Sequence, residues 1–86
     1  MLDIKLDEQE CPSGAKFNNQ IVITQGFLET FKNAHLLAVN TIMKILDERV
    51  NSETGADYLQ VAHFDNTKFW VIDDGSYVTF LLPEEY

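Results

Sequence analysis

Positive charge is what this sequence has least of. Six Lys and Arg stand against fourteen Asp and Glu, for a net charge of −8. A grip on the nucleic-acid backbone needs clustered Lys and Arg, so direct nucleic-acid binding is not expected. Docking on an anionic membrane surface is disfavoured for the same reason. Cysteine is nearly absent too. The single Cys11 cannot close an intramolecular disulfide, which fits a reducing compartment. Glu8 and Glu10 beside it disfavour a thiolate, so Cys11 reads as structural rather than nucleophilic. No stretch approaches the roughly 20 apolar residues of a membrane span. The segment Met1-Leu2-Asp3-Ile4-Lys5-Leu6-Asp7 has neither the basic start nor the apolar run of a signal peptide. The expected location is the cytoplasm, that of an infected host if the gene is phage-encoded.

Patterns that carry chemistry are also scarce. No Gly-rich phosphate loop and no nucleophile elbow is present. His35 falls on the apolar stripe of a helix and reads as a core-edge residue. His63 has Asp65 two residues on, a pairing that can orient an imidazole, but no Ser or Cys is placed to use it. Asp73-Asp74-Gly75-Ser76 lacks the alternating oxygen ligands and distal Glu of a calcium loop and reads as a hairpin turn. Two His and one Cys match no standard zinc spacing. The expectation is a protein with no catalytic residue, no cofactor and no metal.

What is there suffices for a fold. Hydrophobic residues make up 45% of the 86, enough for one modest core in one domain spanning residues 1–86. Leu2, Ile4 and Leu6 alternate with Asp3 and Lys5, a short half-buried strand. A Pro- and Gly-containing turn follows, then Gln20-Ile21-Val22-Ile23-Thr24, a β-branched run of the kind covered on both faces. From Gly26 the period changes. Leu28, Phe31, His35, Val39, Ile42, Leu46 and Val50 recur at helical spacing, with Leu36 and Met43 widening the stripe. Asn33 is a potential cap, so the element is one helix or two. Asn51 to Gly55 stops it. Three strands follow at 58–64, 67–72 and 77–82, joined by turns short enough to demand antiparallel pairing. The predicted fold is α+β, in the order β-β-α-β-β-β. It has an antiparallel sheet of about four to five strands and one main amphipathic helix on one face.

The strand at 69–72 is apolar on both sides, Phe69 and Val71 one way, Trp70 and Ile72 the other. One helical layer covers one face only. The second face is either closed by the N-terminal strands or left to bury itself in a dimer or against a partner.

Four stretches also match a known pattern. These are Ile21-Val22-Ile23-Thr24-Gln25-Gly26, Asn51 with Gly55, Phe69-Trp70-Val71-Ile72-Asp73, and Val78 to Tyr86 with its Glu85-Tyr86 ending. They resemble a family of small uncharacterised proteins of proteobacterial genomes and plasmids, described only as a domain of unknown function. That family has a strand ending in Thr-x-Gly, an Asn-Asp-Pro-Tyr-Gly turn, a Phe-Trp-Lys-Ile-Asp strand and a closing Glu-Tyr. The resemblance covers residues 17–86 in order. Ser52-Glu53-Thr54 and Ala56-Asp57 replace the Pro-Tyr and following Glu-His, and the last loop is cut to Asp74-Gly75-Ser76. The resemblance implies the element order and brings no activity with it.

The acidic residues gather at turns and ends: Asp7-Glu8-Glu10, Asp47-Glu48 with Glu53, Asp73-Asp74, and Glu84-Glu85. Such carboxylates steer toward basic partners and can imitate the charge of duplex DNA. The expected function is an acidic protein-binding module. Its concrete form is a phage- or mobile-element-encoded inhibitor of anti-CRISPR or anti-restriction type, engaging a basic nucleic-acid-handling effector. The alternative is a homodimeric scaffold whose acidity serves solubility alone. The residues expected at the interface are Asp7, Glu8, Glu10, Asp73, Asp74, Glu84 and Glu85, with Trp70 and Tyr77.

Overall fold

Two short turns set the register of the central strands. Asp65 and Asn66 both take positive φ, 46° and 72°, as a two-residue hairpin requires. They join β3 (Leu59–Phe64) to β4 (Thr67–Asp73). Gly75, at φ 92°, turns β4 into β5 (Tyr77–Leu81). Asp74 braces this turn, its Oδ1 accepting from the backbone N–H groups of Ser76 and Tyr77 at 2.8 Å each. The computed structural model describes residues 4–9 and 12–86, so Glu10 and Cys11 lie outside it, as do Leu2 and Asp3 of the first predicted strand.

The N-terminal strands flank this meander. β1 (Ile4–Leu6) and β2 (Gln20–Ile23) complete a five-stranded sheet in the order β1-β3-β4-β5-β2. Three ladders are antiparallel, as the turns dictate; β2 runs parallel to β5. This is the one departure from the expected antiparallel sheet. It follows from the connectivity: β2 feeds a helical layer that returns to β3 on the far side, and such a crossover permits a parallel neighbour. β2 is also no central strand. It forms an edge, with Ile21 and Val22 exposed, so its β-branched run does not report burial on both faces.

The helical stripe breaks in two. α1 (Gln25–Phe31) ends in a 3-10 turn at Lys32–Ala34, and α2 (His35–Val50) follows. Lys32 takes φ 48°, which interrupts the helix. Asn33 is not the cap; Ala34 occupies that position without a side-chain hydrogen bond. The break shifts the phase of the stripe. Phe27 and Phe31 face inward from α1, and Ala38, Val39, Ile42 and Leu46 from α2. Leu28 and Leu36, expected inside, are exposed. His35 is half-buried at the kink, its Nδ1 2.6 Å from the Lys32 carbonyl oxygen.

All six phenylalanines are buried. Phe27 meets Phe31, Phe69 and Phe80 at ring-centroid distances of 4.6, 5.1 and 5.6 Å, and Phe31 meets Phe64 at 5.2 Å. These are tilted and edge-on contacts, the favoured geometries for aromatic pairs. They join α1 to three strands at once. Phe27→Ala is therefore expected to cost about 3–5 kcal/mol, while Leu36→Ala stays within about 0.5 kcal/mol. Urea unfolding of the two variants checks the helical phase, since an unbroken stripe would bury Leu36 and make Leu36→Ala cost about 2–5 kcal/mol.

Candidate functional site

The sheet has one covered face and one open face. Alternation puts Gln60, Ala62, Phe64, Phe69, Val71, Val78 and Phe80 under the helices, all buried. The opposite side chains face away. Across the ladders, Val61, Trp70 and Leu81 form one row, and Leu59, Ile72, Thr79 and Val22 the next. No described helix or strand lies on this face, because both N-terminal strands sit at its edges. The cover is partial. After Leu81 the chain makes a 3-10 turn, Pro83–Glu85, that places the Tyr86 ring edge-on to Trp70 at 5.4 Å. The Trp70 indole N–H is enclosed and finds no acceptor among the described residues. A buried donor without an acceptor costs about 1–3 kcal/mol.

An open groove of about 620 Å³ runs along β4 and β5 on this face. It has Tyr58, Ile72, Asp74, Thr79, Leu81 and Tyr86 in its walls. A second, of about 300 Å³, lies toward β1 between Asp7, Glu8, Leu59, Val61 and Lys68. The end of the face away from Asp74 carries the row Lys5–His63–Lys68. His63 Nε2 lies 3.0 Å from the Asp7 carboxylate, so Asp7 is the carboxylate that the structure places by this imidazole. Asp7, Glu8, Asp74 and Trp70 thus share one face, and Tyr77, 47% exposed, stands at its edge. Glu84 is exposed on the closing turn.

Two expected interface carboxylates have other duties. Asp73 is buried, 8% exposed. Its oxygens accept from Phe17 N–H and the Asn19 side chain at 2.9 Å each and from Gly75 N–H at 3.0 Å. Burial opposes its ionisation, and the hydrogen bonds from Gly75, Phe17 and Asn19 outweigh it, so its pKa lies below the ordinary value. Glu85 accepts from Thr24 Oγ1 at 2.6 Å, Gly26 N–H at 3.1 Å and Leu82 N–H at 2.9 Å. The Thr24 hydrogen bond leads in holding its pKa down. Glu85 therefore places negative charge at the start of α1, which has no acidic residue of its own in its first turn. A Cβ on Gly26 would lie 2.5 Å from Glu85 Oε2, so glycine is what lets this carboxylate approach.

No family model, curated protein or solved structure matches this chain. The motif residues are thus explained by geometry. Thr24, Gly26 and Glu85 form one clamp, Trp70 and Tyr86 one ring pair, and Asp73 anchors the segment before β2. Sequence reasoning missed Tyr58, Thr79, Leu81 and Tyr86 as groove residues. The signal was present in the second apolar register of β4 and β5, but which strands are neighbours was not. No group of His, Cys, Asp and Glu suited to a metal occurs among the described residues. No described helix is long and apolar enough to cross a membrane.

A carboxyl whose folded pKa lies below its unfolded value stabilises the fold above the unfolded value. That contribution disappears as pH falls through the folded one. Asp73, Asp74 and Glu85 all lie below the ordinary range. The urea midpoint is accordingly expected to hold steady down to about pH 5 and fall below about pH 4. Asp73→Asn leaves donors unmet, costs about 1–3 kcal/mol at neutral pH, and makes the acid fall shallower. An unchanged acid limb in this variant would contradict the role given to Asp73.

Proposed function

We propose that this protein is an acidic binding module whose open sheet face docks a basic protein. The observation that supports this most is the face itself. Leu59, Val61, Trp70 and Ile72 lie on it half-buried in two adjoining rows, beside the already buried Leu81, and no described strand or α-helix forms a second layer above them. An apolar sheet face of this extent normally meets another surface. The partner is argued from charge. The chain carries −8, and Asp7, Glu8 and Asp74 rim the apolar rows. Rim charges of one sign speed the encounter with a partner of the other and discourage acidic ones. The concrete form is inhibition of a nucleic-acid-handling effector, in the manner of an anti-CRISPR or anti-restriction protein.

A second reading has its own support. The Lys5–His63–Lys68 row and Asp74 sit at opposite ends of the open face. A two-fold stacking of two copies brings unlike charges together. Sedimentation separates the readings: a strict monomer removes the homodimer.

For the leading reading, the purified protein is expected to block DNA binding by an effector nuclease and to protect phage in a plaque assay. Thr79→Arg, on the open face, fills the groove and repels a basic partner, and should weaken inhibition by at least about thirtyfold. Leu36→Arg, on the helical side, should leave it unchanged, with thermal unfolding confirming that both variants fold. Equal inhibition by both variants, or none by the wild type against any effector tested, would contradict the proposal.

A further inference from the structure

The groove along β4 and β5 differs from the rest of the open face in having aromatic rings and a fixed carboxylate. Tyr58 and Tyr86, both exposed, stand in its walls with Asp74. Asp74 is held in place from one side only. Its Oδ1 accepts from Ser76 and Tyr77 N–H, and its Oδ2 has no partner among the described residues. The Tyr77 and Ser76 hydrogen bonds hold its pKa below the ordinary value, so it stays ionised. The floor between these groups is Ile72, Thr79 and Leu81. A volume of about 620 Å³ admits one or two side chains of a partner, and falls in the range of about 300–1,000 Å³ typical of ligand clefts.

From this arrangement we infer that the groove receives an arginine side chain of the partner protein, carried on a segment that is otherwise apolar. The inference rests on the docking reading above. A guanidinium is planar and weakly hydrated, so it stacks on tyrosine faces while its N–H groups meet a carboxylate. Asp74 Oδ2 supplies the acceptor, and Tyr58 or Tyr86 the ring. Apolar neighbours of the arginine cover Ile72, which is half-buried in the groove. Lysine fits less well, because a compact, strongly hydrated ammonium gives up more water to lie against rings.

The test is an NMR titration with an acetylated, amidated Leu-Arg-Leu tripeptide, at concentrations on the order of millimolar. Shifts are expected at the Asp74 and Thr79 amides, the Tyr58 and Tyr86 rings and the Trp70 indole N–H. The Leu-Gln-Leu peptide should bind about fivefold to tenfold more weakly. Asp74→Asn keeps an oxygen for the Ser76 and Tyr77 N–H groups, so the turn survives and the preference for arginine disappears. No shift with either peptide, equal binding of both, a preference that survives Asp74→Asn, or free arginine amide binding as tightly as the peptide would each overturn the inference. With an inhibited effector in hand, the two claims separate. If Thr79→Arg releases it and Asp74→Asn does not, the arginine site fails and the docking face stands. If neither variant releases it, both fail.

Discussion

A buried carboxylate at the end of β4 holds the two halves of the chain together. Asp73 accepts from Phe17, Asn19 and Gly75. Phe17 and Asn19 belong to the segment that crosses from β1 to β2, and Gly75 to the last hairpin. The crossing is pinned again at Ala56, whose carbonyl accepts from the Ser13 and Ala15 N–H groups. A third tie runs through Gln60, 1% exposed. It donates to Gln9 Oε1 and to the Asp57 carbonyl, and accepts from Arg49 at 2.6 Å. Buried polar groups of this kind are costly unless every partner is present, so they specify one path for the crossing segment. That path leads around the end of the sheet rather than over it.

The open face follows from this path. With β1 and β2 held at opposite edges, the described residues between them form no strand or helix over the open face. One kinked helical layer, with its phenylalanine cluster, closes the other face. What remains above Trp70 is a single turn and the ring of Tyr86, placed by Glu85 through Thr24 and Gly26. The same short segment thus caps α1 and bounds the groove. Asp73 and Glu85 serve the fold and Asp7 and Glu8 line the rim, while Asp74 does both, bracing the last turn with one oxygen and facing the groove.

Much of this fold was legible in the sequence because its signals are local. Asp65-Asn66 and Asp74-Gly75 are turns by their own chemistry, and the alternation in β3 to β5 depends only on the pleat. The order of elements and the α+β class followed from them. What was not legible depends on distant neighbours. The parallel placement of β2 beside β5, and its exposure, are fixed by the crossing segment and not by Ile21, Val22 and Ile23. The helical phase failed at Lys32, where a positive φ in a non-glycine residue left no mark in the periodicity. At the site, Trp70, Asp74, Asp7 and Glu8 were expected at a partner interface; the structure puts Trp70 in a central row of the open face and the three carboxylates along its grooves. Asp73 and Glu85 were grouped with them because charge in a turn looks the same whether it points outward or inward. Tyr58 and Tyr86 join the groove through contacts far apart in sequence.

The account turns on which face of the sheet meets a partner. A photo-crosslinking amino acid at Thr79, on the open face, and another at Leu36, on the exposed side of α2, can be compared in the cells where the protein works. The account predicts a discrete adduct with a basic protein from position 79, lost at high salt, and none from position 36. Adducts from position 36 alone would contradict it.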